Sequence, residues 1–152
     1  MKIIITGAGG FLGRNLAAAL LSAGHKVWNF SRSKHQQLQE MGIETTCGNL
    51  QNEADVASAF KGIDVVFHVA SRVGIWGKYD EYYRTNVIGT KNVLNACRAN
   101  GITKLIYTST PSVVFDGSDI CGADETRPYS QKFYNYYSET KTIAEQMVLQ
   151  AN

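Results

Sequence analysis

A chain of 152 residues is long enough to bury one hydrophobic core and too short for two independent domains. Its 15 Lys and Arg stand against 13 Asp and Glu, a formal net charge of +2 with no basic run, so a nucleic-acid surface is not indicated and small molecules are the expected partners. The apolar start Ile3-Ile4-Ile5 breaks at once into glycines, which excludes a membrane span, and Cys47, Cys97 and Cys121 lack the spacing of a disulfide framework or a metal site, so a cytoplasmic location without a bound metal is expected.

Strand and helix patterns alternate along the chain. Lys2 to Thr6 reads as a short apolar strand, and Phe11 to Ala23 as a helix with Leu12, Leu16, Leu20 and Ala23 on one stripe, ended by Gly24. Val27 to Ser31 and Glu44 to Cys47 read as the next two strands, and Ala54 to Phe60 as a helix closing at Gly62. Val65 to Val69 is an almost unbroken apolar run, as a central parallel strand covered on both faces requires. Tyr82 to Ala99 is the longest helix, with Tyr83, Val87, Leu94 and Cys97 along its stripe. Lys104 to Thr108 is a fifth strand, Pro111 to Phe133 an irregular loop of the length that usually carries function, and Tyr134 to Ala151 a last helix. This alternation predicts a single α/β domain over 1–152, a doubly wound parallel sheet (Rossmann fold) with ligands beyond the carboxyl ends of its strands.

The first strand runs into Thr6-Gly7-Ala8-Gly9-Gly10-Phe11-Leu12-Gly13. Gly7 suits the tight turn, Gly10 lets backbone approach a pyrophosphate, and Gly13 lets the helix lie close on the sheet, while the helix N-terminus offers unpaired N–H groups to the anion. A dinucleotide is the expected ligand. At the end of the second strand, where NAD sites usually carry a carboxylate, the chain has Ser31-Arg32-Ser33-Lys34. Arg32 can fork onto a 2′-phosphate and Ser31 can add a hydroxyl, which favours NADP(H) with NAD(H) possible; otherwise Arg32 is an ordinary solvated loop residue.

Tyr137 and Lys141 lie one helical turn apart and share a face of the last helix. A free phenol, with a pKa of about 10, needs a neighbouring cation to move protons at neutral pH, and Lys141 can supply it. Ser109 and Thr110 follow the fifth strand and would reach the same crevice, Thr110 being the first choice to hydrogen-bond a substrate oxygen and Ser109 the second. The whole pattern reads as a nicotinamide-dependent oxidoreductase.

Six motifs in register resemble the extended short-chain dehydrogenase/reductase family: Thr6 to Gly13, Gly48-Asn49-Leu50, His68-Val69-Ala70-Ser71, Asn86-Val87-Ile88-Gly89-Thr90, Tyr107-Thr108-Ser109-Thr110 and Tyr137 to Lys141. Trp76-Gly77-Lys78-Tyr79 and Ser109 to Phe115 look most like its 3β-hydroxysteroid dehydrogenase branch. The resemblance implies Tyr137 as general acid/base, Lys141 as its electrostatic partner and ribose ligand, Thr110 as the group orienting a carbonyl, and Asn86 as support from the long helix. It implies Gly7, Gly10, Phe11, Leu12 and Arg32 at the phosphates and adenosine, Asn49 and Leu50 at the adenine, and Ala70 and Ser71 at the ribose, with Ser109 also beside the cofactor. Asn49 departs from the family, which commonly has Asp there. The family's further strands and substrate lobe are not in this chain, which leaves the fifth strand as an expected sheet edge. A homodimer through the two long helices is a family expectation.

Three functions compete: interconversion of a ketone and a secondary alcohol on an apolar 3-oxo or 3-hydroxy acid or a sterol-like substrate; a nucleotide-sugar epimerase; and a non-catalytic NADP-binding module. Pro111-Ser112 after Thr110, in place of Asp-Glu, counts strongly against a dehydratase. His68 reads as a satisfied core histidine, His25 and His35 as surface residues, and Tyr82, Tyr83, Tyr134 and Tyr136 as packing groups. Trp76 and Tyr79 fit an apolar substrate pocket or the core equally well.

Overall fold

Ile3 and Ile5 point to one side of the first strand and Ile4 to the other, and all three are shielded from solvent, so this strand carries core on both faces. The computed structural model describes Met1–Asn152. Its strands are β1 (Lys2–Thr6), β2 (Lys26–Ser31), β3 (Glu44–Cys47), β4 (Val65–His68) and β5 (Lys104–Tyr107), all parallel, in the order β3-β2-β1-β4-β5. β1 is the middle strand. β3 and β5 are the edges, as expected for the fifth strand.

Helices cover both faces. Ile3, Ile5, Val27 and Val65 pack against Ala17 of α1 (Phe11–Ser22) and Leu38 of a short α2 (Gln36–Glu40), which the sequence pattern did not show. Ile4, Phe30 and Val66 pack against Val56 of α3 (Glu53–Ala59) and against Val93, Ala96 and Cys97 of the long helix. That helix is a continuous run of α4 (Tyr79–Tyr82), a wider π-helical stretch (Tyr83–Ile88) and α5 (Gly89–Ala99). A 3₁₀ turn (Pro111–Val113) interrupts the otherwise irregular loop before α6 (Tyr136–Gln150), which packs on the long helix.

One expected stripe is displaced and another is changed at a single position. On α1 the buried residues are Gly13 and Ala17, with Leu16 and Leu20 flanking, because small residues let the helix lie close on the sheet. Leu12 is half-exposed. On the long helix Val87, Leu94 and Cys97 are buried as expected, but Tyr82 rather than Tyr83 is buried at its start, where it packs on Tyr136 of α6 and donates to the Trp76 carbonyl.

His68 is a buried, ionisable member of a polar row on the sheet. Thr6, His68 and Tyr107 are paired neighbours across β1, β4 and β5 and so present one polar row on one face of the sheet. Thr90 Oγ1 donates to the Asn86 carbonyl at 2.6 Å, which leaves it to accept from His68 Nε2 at 3.0 Å. His68 Nδ1 then accepts from Thr6 Oγ1 at 2.7 Å, and Thr6 Oγ1 in turn accepts from the Ala70 amide. This chain satisfies a neutral imidazole and has no place for a second ring proton. Burial, with Lys141 adding a smaller repulsion, pushes the His68 pKa down to about 3.

The unfolded chain takes up a proton on His68 below about pH 6.5 and the native one only near pH 3, so stability should fall as pH drops through that window, by up to about 1.4 kcal/mol per pH unit from this group. Urea midpoints measured from pH 7 to pH 4 check this. His68→Gln should flatten the slope; an unchanged slope would remove His68 as its cause.

Candidate functional site

The chain leaves β1 toward β2 on one side and returns, after β3, to β4 on the other, so the loops beyond the carboxyl ends of β1 and β4 part. The gap between them is a crevice of about 930 Å³. The glycine loop forms its floor. Gly7 has a φ of +80° and lies so close to Ala70 that a Cβ would come within 2.9 Å of the Ala70 backbone. At Gly13 a Cβ would sit 2.4 Å from the Gly7 carbonyl oxygen, which fixes the close approach of α1. Gly10 precedes α1 without a side-chain cap, so the first N–H groups of the helix have no side chain over them.

Gly7, Gly10, Phe11, Leu12, Gly13, Ser31, Arg32, Asn49, Leu50, Ala70, Ser71 and Tyr137 all line this crevice. Sequence positions spread over most of the chain thus converge on one cleft. Arg32 is exposed on its wall and joins none of the ion pairs. The Ser31 hydroxyl is already engaged, donating to the Ser33 carbonyl at 2.6 Å and accepting from Asn29. Asn49 Oδ1 accepts from the Gln51 amide, and the Asn49 amide donates to Asp55.

Four expected residues lie off the lining. The Ser109 hydroxyl donates to Glu145 of α6, which turns it away from the crevice; side chains alternate along extended backbone, and Thr108 is the one that faces in. Thr110 Oγ1 caps the 3₁₀ turn, accepting from the Ser112 amide at 3.3 Å. Lys141 is buried behind the wall, its ammonium donating to the Thr108 carbonyl at 2.6 Å; burial lowers its pKa to about 8, against an opposing pull from Glu145. Asn86 is buried as well. Its amide oxygen accepts from the Arg72 amide at 2.7 Å, and its nitrogen donates to the Arg72 carbonyl and to Thr140. Asn86 therefore shapes the wall and ties it to α6 without touching the cleft.

Residues that the sequence reading passed over also reach the crevice. His35, expected at the surface, is half-buried, and its imidazole occupies the space a Cβ on Gly9 would need, with ring atoms 2.4 Å from that position. The vacancy at Gly9 was visible in the sequence; what fills it was not. Arg72 and Arg84 line the cleft too, paired with Glu81 and Asp80. Trp76 is 86% exposed, which rules out the core for it, while its carbonyl accepts from the buried Tyr82 hydroxyl. Tyr79 stacks on Tyr83 and meets Tyr136 edge-on, the packing role expected of those tyrosines.

A parallel sheet wound on both faces, with a glycine-floored crevice at its switch point, defines a Rossmann-type nucleotide-binding protein. The chain belongs to the 3-beta hydroxysteroid dehydrogenase/isomerase family, whose profile it matches over residues 4–152. It is 49% identical over 148 residues to a 2-alkyl-3-oxoalkanoate reductase of Shewanella oneidensis, covering 97% of this chain and 38% of that protein. It is 41% identical over 151 residues to the decarboxylating sterol-4-alpha-carboxylate 3-dehydrogenase of Mus musculus, covering 99% of this chain and 41% of that one. This chain thus spans about two fifths of the length of these relatives. Among solved structures, a short-chain dehydrogenase/reductase superfamily protein from Agrobacterium tumefaciens with bound NAD is 26% identical and superposes with a TM-score of 0.85, covering 97% of this chain and 44% of that one.

Replacing Asn86 by Ala removes the partner of the part-buried Arg72 amide and carbonyl. The expected cost is about 1–2 kcal/mol in denaturant unfolding, together with faster hydrogen exchange at the Arg72 amide.

Proposed function

We propose that this chain binds NADPH in preference to NADH and carries the proton-transfer residues of an oxidoreductase that interconverts a ketone and a secondary alcohol on an apolar substrate. The observation that carries the reading is that Tyr137 borders the same crevice as the glycine loop and Arg32. The crevice fits a dinucleotide: Gly7, Gly10 and Gly13 keep side chains off its floor, and the uncapped N-terminus of α1 suits a pyrophosphate. Arg32 has no carboxylate partner to give up, so its guanidinium is free to take a 2′-phosphate. The 3-oxo acid and sterol substrates in the names of the two curated relatives support an apolar ketone or alcohol here.

The bound nicotinamide would supply or accept the hydride. In the reducing direction Tyr137 donates its phenolic proton to the carbonyl oxygen as charge develops there, and in the oxidising direction it takes the proton back. Lys141 is on the next turn of α6 and brings a positive charge to the same side of the helix. The Thr110 hydroxyl, held within its own turn by contacts of only 3.2 and 3.3 Å, can exchange them for the substrate oxygen. Asn86 keeps the Arg72 wall and α6 in register while this happens.

Titration with NADPH and NADH, followed by nicotinamide fluorescence, tests the cofactor reading. NADPH should bind more tightly, and Arg32→Ala should weaken NADPH by about tenfold while leaving NADH unchanged; equal affinities would overturn the preference. Tyr137→Phe should lower turnover of a 3-oxo acid or sterol ketone by a factor of about 10² to 10⁴ with cofactor affinity retained. Retained turnover would remove Tyr137 from its role.

A further inference from the structure

Lys141 is buried and yet joins no ion pair. Two groups lie against its ammonium: the Thr108 carbonyl at 2.6 Å, and the face of the Tyr107 ring, whose centroid is 4.0 Å away. Tyr107 ends the polar row that Thr6 and His68 begin, and its ring centroid is 5.6 Å from that of His68. Its hydroxyl is buried without a hydrogen-bond partner. The ammonium meets this residue at its aromatic face and not at its hydroxyl.

We infer that Tyr107 is a positioning residue whose ring face keeps the Lys141 side chain charged and fixed behind the crevice. Removing an ammonium from water favours the neutral amine, and a ring quadrupole beneath the nitrogen opposes that loss without introducing a carboxylate that would neutralise the charge. No carboxylate lies within ion-pair distance of this ammonium: a paired ammonium would project little field toward Tyr137, whereas one resting on a ring is not neutralised by its neighbour. The other titratable groups around Lys141 are His68 on β4, which is neutral, and Tyr137 and Glu145 on its own helix, Glu145 already accepting from Tyr129 and Ser109. Of these only Glu145 favours the ammonium, from beyond ion-pair distance, so the ring is the aromatic or anionic group in contact with it. The inference rests on the proposed function only for what the charge is used for; the charge itself is measurable without cofactor or substrate.

The test follows Lys141 by the ε-carbon chemical shift of the ¹³C-lysine-labelled chain, assigned through Lys141→Arg, across a pH titration. Tyr107→Phe keeps the ring and removes the orphan hydroxyl, and should leave the Lys141 titration in place. Tyr107→Leu should move it down by about one pH unit, a tenfold loss of ammonium stabilisation. Because Leu could also disturb packing, Phe, trifluoro-Phe and pentafluoro-Phe placed at 107 hold the shape while draining the ring face, and the Lys141 titration should fall in that order. A titration unmoved along the fluorinated series, or a Phe variant displaced as far as Leu, would overturn the inference. In an active preparation the alkaline limb of kcat should move down by the same amount; if Lys141 titrates as expected while that limb stays fixed, the positioning role stands and the catalytic use of the charge fails.

Discussion

Pairing of β1 with β4, in a register that sets Thr6 opposite His68, is the constraint on which the remainder of this molecule depends. It places two strand ends side by side whose following loops must leave in opposite directions, and a cleft opens between them. The pairing is reinforced from both sides. Apolar contacts through Ile3, Ile5 and Val65 secure one face, Ile4 and Val66 the other, and the Thr6–His68–Thr90 hydrogen bonds fasten the carboxyl ends to the long helix. Thr6 also receives the Ala70 amide, so the hydroxyl that completes the histidine's bonding also sets the loop facing Gly7.

Polarity beneath the crevice is graded. Near β1 every polar group in the row is hydrogen-bonded and neutral, which suits a buried histidine. At β5 the row ends in an aromatic ring on which a buried ammonium rests without an ion-pair partner. The π-helical stretch serves both ends. It presents Asn86 to the Arg72 backbone and Thr140, and its last carbonyls receive Thr90. A wider turn at this point lets one helix bond to the sheet, to the cleft wall and to α6 at once, a use typical of π-helical insertions near functional sites.

The difference between Ser109 and Thr108 shows how far residue order reaches. Spacing alone offers the Ser109 hydroxyl to the cleft; only the pleat of the strand, anchored by its pairing to β4, decides that Thr108 lines the cleft and Ser109 meets Glu145. His35 is a similar case. Nothing in its neighbourhood of the chain connects it with Gly9, and the contact exists because β2 lies beside β1 and brings the loop after it over the glycines.

Local rules acting within a few residues settled much of this protein from its sequence. The alternation of strands and helices, the glycine loop opening α1, the absence of an acid after β2 and the Tyr137/Lys141 spacing follow from periodicity, backbone freedom and charge, and the residues named from Gly7 to Ser71 line one crevice. Short-range order could not say which face of α1 is buried, that the long helix widens at Tyr83–Ile88, that Asn86 turns inward to the Arg72 backbone, or that Lys141 rests on Tyr107. Those were decided by tertiary structure, because each joins groups on different elements whose relative position exists only once the sheet has assembled.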